Sequence, residues 1–119
     1  METILVVDDN PAILAMIESA LEETYNVIAV TSGMRALRYL ENNRADLILL
    51  DVEMPIMDGI QTLQKIREKQ GLSKVPVVFL TARKDGHTVA EGFKLGISDY
   101  ITKPFEAEEI VERIRRVLV

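Results

Sequence analysis

Five polar side chains stand where short apolar runs end: Asp8 and Asp9, Asp51, Thr81 and Lys103. Three carboxylates about 5 Å apart repel one another by about 3 kcal/mol per pair at an effective dielectric of 20, so a positive charge must sit among them. A hard divalent cation suits an all-oxygen site, and Mg²⁺ in particular takes one or two carboxylates, several waters and often a substrate phosphate. The Lys103 ammonium offers a point charge for an anion, and the Thr81 hydroxyl a directional donor. Carboxylates for a metal, a cation and a hydroxyl around one nucleophilic carboxylate are what phosphoryl transfer to a carboxylate requires.

Taken singly, each residue has a plainer reading. Asp8-Asp9-Asn10-Pro11 makes a turn and a helix cap, Asp51 a solvated strand end, Thr81 the close of a strand and Lys103-Pro104 a turn. The argument for chemistry is their coincidence at one place, which depends on the elements that carry them. Strand-length apolar runs recur at Ile4 to Val7, Val27 to Val30, Leu47 to Leu50, Val75 to Leu80 and Tyr100 to Thr102, with helix-period segments between them. The runs are continuous rather than alternating, as parallel strands covered on both faces require. Asn10 caps the first helix with Pro11 at its first position, and Ile13, Ile17, Ala20 and Leu21 form its stripe. Ser32 caps a second helix with Ala36, Leu37 and Leu40 inward. A third follows Gly59 with Ile60, Leu63 and Ile66. The segment Asp85 to Leu95, with Gly86, His87 and Gly92, is the weakest helix former. In the last helix Ile110, Ile114, Val117 and Leu118 face inward, and Glu108, Glu109, Glu112, Arg113, Arg115 and Arg116 point out. Alternation of this kind, with right-handed crossovers, predicts an α/β fold: a doubly wound (βα)5 five-stranded parallel sheet that binds ligands outside the carboxyl ends of its strands. All five polar residues fall at those ends.

The 119 residues make one domain, 1–119, and the 48% apolar and 28% charged content is that of a globular chain. Fourteen Lys and Arg against nineteen Asp and Glu leave a net charge of −5, which disfavours direct contact with nucleic acid or anionic lipid. The absence of cysteine excludes disulfides, thiolate catalysis and Cys-ligated metal, and with no basic leader before an apolar segment the expectation is a soluble cytoplasmic protein without a membrane role.

The stretches ILVVDDN, LILLDVEMPIMDG, VVFLTAR and GISDYITKPF resemble the receiver domains of two-component response regulators, over essentially the whole chain. The resemblance implies a flavodoxin-like sheet of order 2-1-3-4-5. It implies that Asp51 is the phosphoacceptor, that Asp8, Asp9, Asp51 and the Glu53 backbone carbonyl hold Mg²⁺, and that Thr81 and Lys103 contact the phosphoryl oxygens. Tyr100 matches the aromatic switch position, turning inward as Thr81 is drawn to the phosphate, and Lys103-Pro104 matches a cis peptide. Glu53 and Arg83 stand at positions that vary in the family and line the path of attacking water. Three readings stand for them: the two side chains pair, Glu53 adds charge near the metal, or both are exposed without kinetic effect.

The implied function is a switch that accepts a phosphoryl group from a sensor histidine kinase or phosphotransfer protein. It catalyses its own phosphorylation and hydrolysis rather than turning over a substrate. A Mg²⁺-dependent phosphatase would share the carboxylates, but the chain is short for a substrate cap and has no phosphate-loop or H-E-x-x-H motif. A purely structural domain would not need all five polar residues. The expected output surface is the fourth helix, fifth strand and fifth helix, engaging a downstream protein or tethered output domain. Asp99, Glu109 and Arg113 match a subfamily that homodimerises there on phosphorylation, whereas Val89, Ser98 and Lys94 depart from it, so a heterologous partner is favoured over the dimer. His87 is read as solvated, and Met34, Met54 and Met57 as packing residues.

Overall fold

The computed structural model describes residues 1–82 and 86–119. Arg83, one of the two expected tuning residues, and Asp85, expected in the fourth helix, lie outside the described residues. The elements alternate as β1 (Thr3–Val7), α1 (Pro11–Leu21), β2 (Asn26–Val30), α2 (Gly33–Asn42), β3 (Leu47–Asp51), α3 (Gly59–Glu68), β4 (Val77–Thr81), α4 (Gly86–Lys94), β5 (Asp99–Thr102) and α5 (Ala107–Leu118). All pairings are parallel, in the expected order β2-β1-β3-β4-β5. β4 starts two residues later than its apolar run. Pro76 has no N–H to give the ladder, although Val75 before it is buried.

Because strand side chains alternate in direction, each continuous run fills two cores. Leu5, Val7, Ile48, Leu50, Val77 and Phe79 meet Ala36 and Leu40 of α2 and Leu63 and Ile66 of α3. Ile4, Val6, Leu47, Leu49, Val78 and Leu80 meet Leu14, Ile17 and Leu21 of α1 and Ile110 and Ile114 of α5. Leu14, absent from the expected stripe, is buried with it, Ile13 and Ala20 are only half-buried at its margins, and Leu37 of α2 is half-buried at the edge of the other core.

Caps fix where the helices begin. Asn10 accepts from the Ala12 and Ile13 amides at 2.9 and 3.4 Å, and Ser32 from Arg35 at 3.1 Å. α3 carries a cap the sequence reading did not name, a capping box between Asp58 and Gln61. α4 forms despite its glycines, and Gly92 has a packing reason. A Cβ there would lie 2.6 Å from the Phe79 ring and 2.8 Å from Ile97, so the helix reaches the sheet only because that position is bare.

Two sequence expectations need correction. Met34 is 53% exposed, because Gly33 and Ala36 take the inward face of α2 and leave it turned outward; Met54 is buried and Met57 half-buried as expected. Arg113 is not part of a purely solvated face of α5. It donates to Asp99 Oδ2 and to the Tyr100 carbonyl, both at 2.9 Å, tying α5 to β5. His87 is exposed, as read from the sequence.

Candidate functional site

The register of the sheet brings the expected residues to one edge. Val7 is paired with Leu50, Asp51 with Leu80 and Thr81 with Thr102, so Asp8, Asp51, Thr81 and Lys103 emerge side by side. Gly59 lets α3 start directly behind this edge. A Cβ there would stand 2.4 Å from the Asp51 carbonyl oxygen and 2.7 Å from the Val52 Cα.

Asp8 is fully buried, yet both of its oxygens are engaged. Oδ1 accepts from the Asn10 amide at 2.9 Å and Oδ2 from Lys103 Nζ at 3.0 Å. Asp51 is 1% exposed and only half satisfied. Its Oδ1 accepts from Lys103 Nζ at 3.1 Å and from the Glu53 amide at 3.3 Å, whereas Oδ2 is buried without a hydrogen-bond partner among the described residues. Leaving such an oxygen unmatched costs about 1–3 kcal/mol, which a folded chain tolerates where the atom has another use.

Electrostatics follow the same geometry. Burial first, and then the Asp8 carboxylate, push the Asp51 carboxyl up to about 7 against the pull of Lys103. Burial draws the Lys103 ammonium down, but its hydrogen bonds and attraction to Asp8 and Asp51 outweigh that and leave its pKa raised. Lys103 therefore stays charged and offsets one of two buried carboxylates.

Asp9 is exposed, and one carboxylate oxygen from each of Asp8, Asp9 and Asp51 can be chosen so that all three lie within 4.8 Å of one another. An all-oxygen donor set, a net negative site and an orphaned buried oxygen fit a hard dication that retains waters. Lys103–Pro104 is cis, as the resemblance implied. Thr81 is buried at the end of β4. Tyr100 is half-buried on β5, its ring edge-on to Phe93 at 6.4 Å and 83°.

The sequence reading missed what Glu53 does with its carboxylate. Oε2 accepts from the Thr81 hydroxyl at 2.9 Å, and Oε1 accepts from the Ala82 amide at 2.8 Å. Ala82 has no polar side chain and carries no signal in the sequence; its donor is backbone. Away from this edge, a wide groove of about 840 Å³ at the opposite end of the sheet is lined by Glu41, Arg44, Asp46, Lys69 and Lys74 among others.

Known proteins share this sequence pattern and this fold. A family model described as the response regulator receiver domain matches residues 4–115. The transcriptional regulatory protein CpxR of Escherichia coli K12 is 41% identical over 119 residues, covering 99% of this chain and 50% of CpxR. The chain spans about half the length of the curated relatives it matches. The chemotaxis protein CheY4 of Vibrio cholerae superposes with a TM-score of 0.95 at 30% identity over 99% of both chains. The receiver domain of the sensor histidine kinase PA1611 from Pseudomonas aeruginosa, which has a magnesium ion coordinated in its active site cleft, gives 0.88 at 33% identity over 98% of this chain and 97% of that one.

Proposed function

The chain belongs to the response regulator receiver domain family, and from that premise we propose that Asp51 is its phosphoacceptor in a Mg²⁺-dependent reaction. The observation that carries the reading is the asymmetry of Asp51: one oxygen held by Lys103, the other buried and, among the described residues, without a partner. A carboxylate oxygen of Asp51 forms the O–P bond as the P–N bond of a phosphohistidine breaks, and the bonding pair stays with the imidazole nitrogen. Lys103, already between Asp8 and Asp51, stabilises the added negative charge. Asp8, Asp9, Asp51 and the Glu53 backbone carbonyl would hold Mg²⁺, which when bound neutralises charge on the transferring oxygens. Hydrolysis reverses the gain: water adds to phosphorus, the O–P bond breaks, and inorganic phosphate leaves.

In the phosphorylated state Thr81 donates to a phosphoryl oxygen and Tyr100 reports the change to α4, β5 and α5. Glu53 and, on sequence grounds, Arg83 tune the lifetime of the acyl phosphate. The donor is a sensor histidine kinase or phosphotransfer protein, and the receiver of the signal is a downstream protein or a tethered output domain. The intrachain Asp99–Arg113 pair supports a heterologous partner over a homodimer, because two groups that a two-fold contact would use already satisfy each other. An acidic chain with no helix, among the described residues, long and apolar enough to cross a membrane supports work in the cytoplasm without nucleic-acid or lipid contact by this domain.

Incubation with a small-molecule phosphodonor tests the reading. Label should enter Asp51 with Mg²⁺, vanish in excess chelator and be absent from Asp51→Asn; equal incorporation in chelator, or localisation to another residue, would refute it. Thr81→Ala should still accept the label but show smaller phosphorylation-dependent chemical-shift changes at Tyr100.

A further inference from the structure

The Thr81 hydroxyl and the Ala82 amide converge on one anion, and that anion is the protein's own Glu53 carboxylate. The two contacts bridge 28 and 29 residues of sequence and join the β3–α3 loop to the end of β4, with each carboxylate oxygen accepting one hydrogen bond among the described residues at an ordinary distance. A pair of donors that grips a carboxylate in this way will grip any tetrahedral or planar anion of similar reach.

Resting on the reading that Asp51 is the phosphoacceptor, we propose that Glu53 is a positioning residue whose carboxylate occupies the phosphoryl-oxygen site in the unphosphorylated protein. An incoming phosphoryl group must displace that carboxylate from Thr81 and Ala82. This differs from an effect on attacking water. Glu53 competes for the donors before any acyl phosphate exists, and it holds Thr81 in its resting place until the phosphoryl group takes over. The location fits the role. Glu53 is tethered beside the nucleophile by its own amide, which donates to Asp51 Oδ1, and its half-buried side chain can swing toward solvent when outcompeted.

Through-space repulsion between Glu53 and an anion predicts some competition too, so the two causes must be separated. Beryllofluoride, a phosphoryl mimic, is titrated at saturating Mg²⁺ into the wild type, Glu53→Ala, Thr81→Ala and the double variant, with Mg²⁺ affinity measured alone for each. Glu53→Ala should bind the mimic about tenfold more tightly, the scale of losing hydrogen bonds to a charged but partly exposed group. In the Thr81→Ala background the gain should shrink to about threefold or less, because half the contact is already gone. In the metal-free protein Glu53→Ala should also move the Ala82 amide proton upfield, as loss of a charged acceptor requires. A gain within twofold of none, an equal gain in both backgrounds, or an unmoved Ala82 amide overturns the proposal while leaving Asp51 as phosphoacceptor untouched. Failure of the wild type and every variant to bind the mimic with Mg²⁺ overturns both.

Discussion

The two ends of the sheet both contain charge removed from water, and they treat it in opposite ways. At the amino ends of the strands, Arg67 on α3 donates from Nε to the Leu95 carbonyl, from Nη1 to Leu72 and Val75, and from Nη2 to Gly96, at 2.7–3.1 Å. One planar guanidinium thus gathers four loop carbonyls that no ladder or helix would satisfy. At the carboxyl ends, two buried carboxylates share a lysine, one oxygen has no partner among the described residues, and the neighbouring loop places Ile56, a β-branched residue that is 99% exposed, at φ 70. A satisfied end closes the fold. An incomplete end leaves unmet interactions that, on the function proposed above, a metal and a phosphoryl group would satisfy on binding.

Changes at the satisfied end should cost stability and leave chemistry alone. Arg67→Ala strands several carbonyls and should destabilise the domain by about 2–4 kcal/mol in urea unfolding, with Asp51 still labelled to wild-type extent at a temperature where the variant is folded. A loss below about 1 kcal/mol would mean that water replaces the guanidinium at no cost and would break the contrast.

Neutralising the incomplete end should do the reverse. The Asp51 carboxyl is raised from its ordinary range to about 7, so between about pH 4 and pH 7 the folded state binds more protons than the unfolded one, and stability falls as pH rises. In chelator, Asp51→Asn should therefore be more stable than wild type by about 1–3 kcal/mol at pH 8, with the advantage fading toward pH 4. A variant equal to or weaker than wild type at pH 8 would show that Lys103 fully offsets the burial of Asp51. The smallest effect is expected in the adjoining loop. Ile56→Gly relieves a left-handed backbone and should stabilise by about 0.5–1 kcal/mol after the entropic cost of glycine, measured in the same unfolding series; destabilisation would show that Ile56 makes contacts that outweigh the strain.

The positions of Asp8, Asp9, Asp51, Thr81 and Lys103 could be read before any coordinates, because each stands at or just past the end of a strand whose apolar run is local and continuous. Asp8, Asp51, Thr81 and Lys103 come together by register alone once the strands pair in the order found. Glu53 was legible as a residue near the nucleophile but not as the partner of Thr81 and Ala82. One of its donors is a backbone amide, and the contact exists only when β3 and β4 lie side by side. Arg113 was misread for a related reason. Helical periodicity assigns a residue to a face, but it does not reveal that an acid and a carbonyl on the neighbouring strand await it.

Local patterns determined the alternation of strands and helices, the caps at Asn10 and Ser32 and the convergence of acids, hydroxyl and lysine at one edge, because each depends on neighbours within a few residues or on a period repeated along the chain. Only the tertiary structure decided how the charges are satisfied. Which Asp51 oxygen Lys103 takes, which is left over, that Gly92 must be bare for Phe79, and that Arg67 closes the far end all depend on distances between segments distant in sequence. Hydrogen bonds and desolvation act over a few ångströms of space, and the order of residues along the chain carries no measure of that distance.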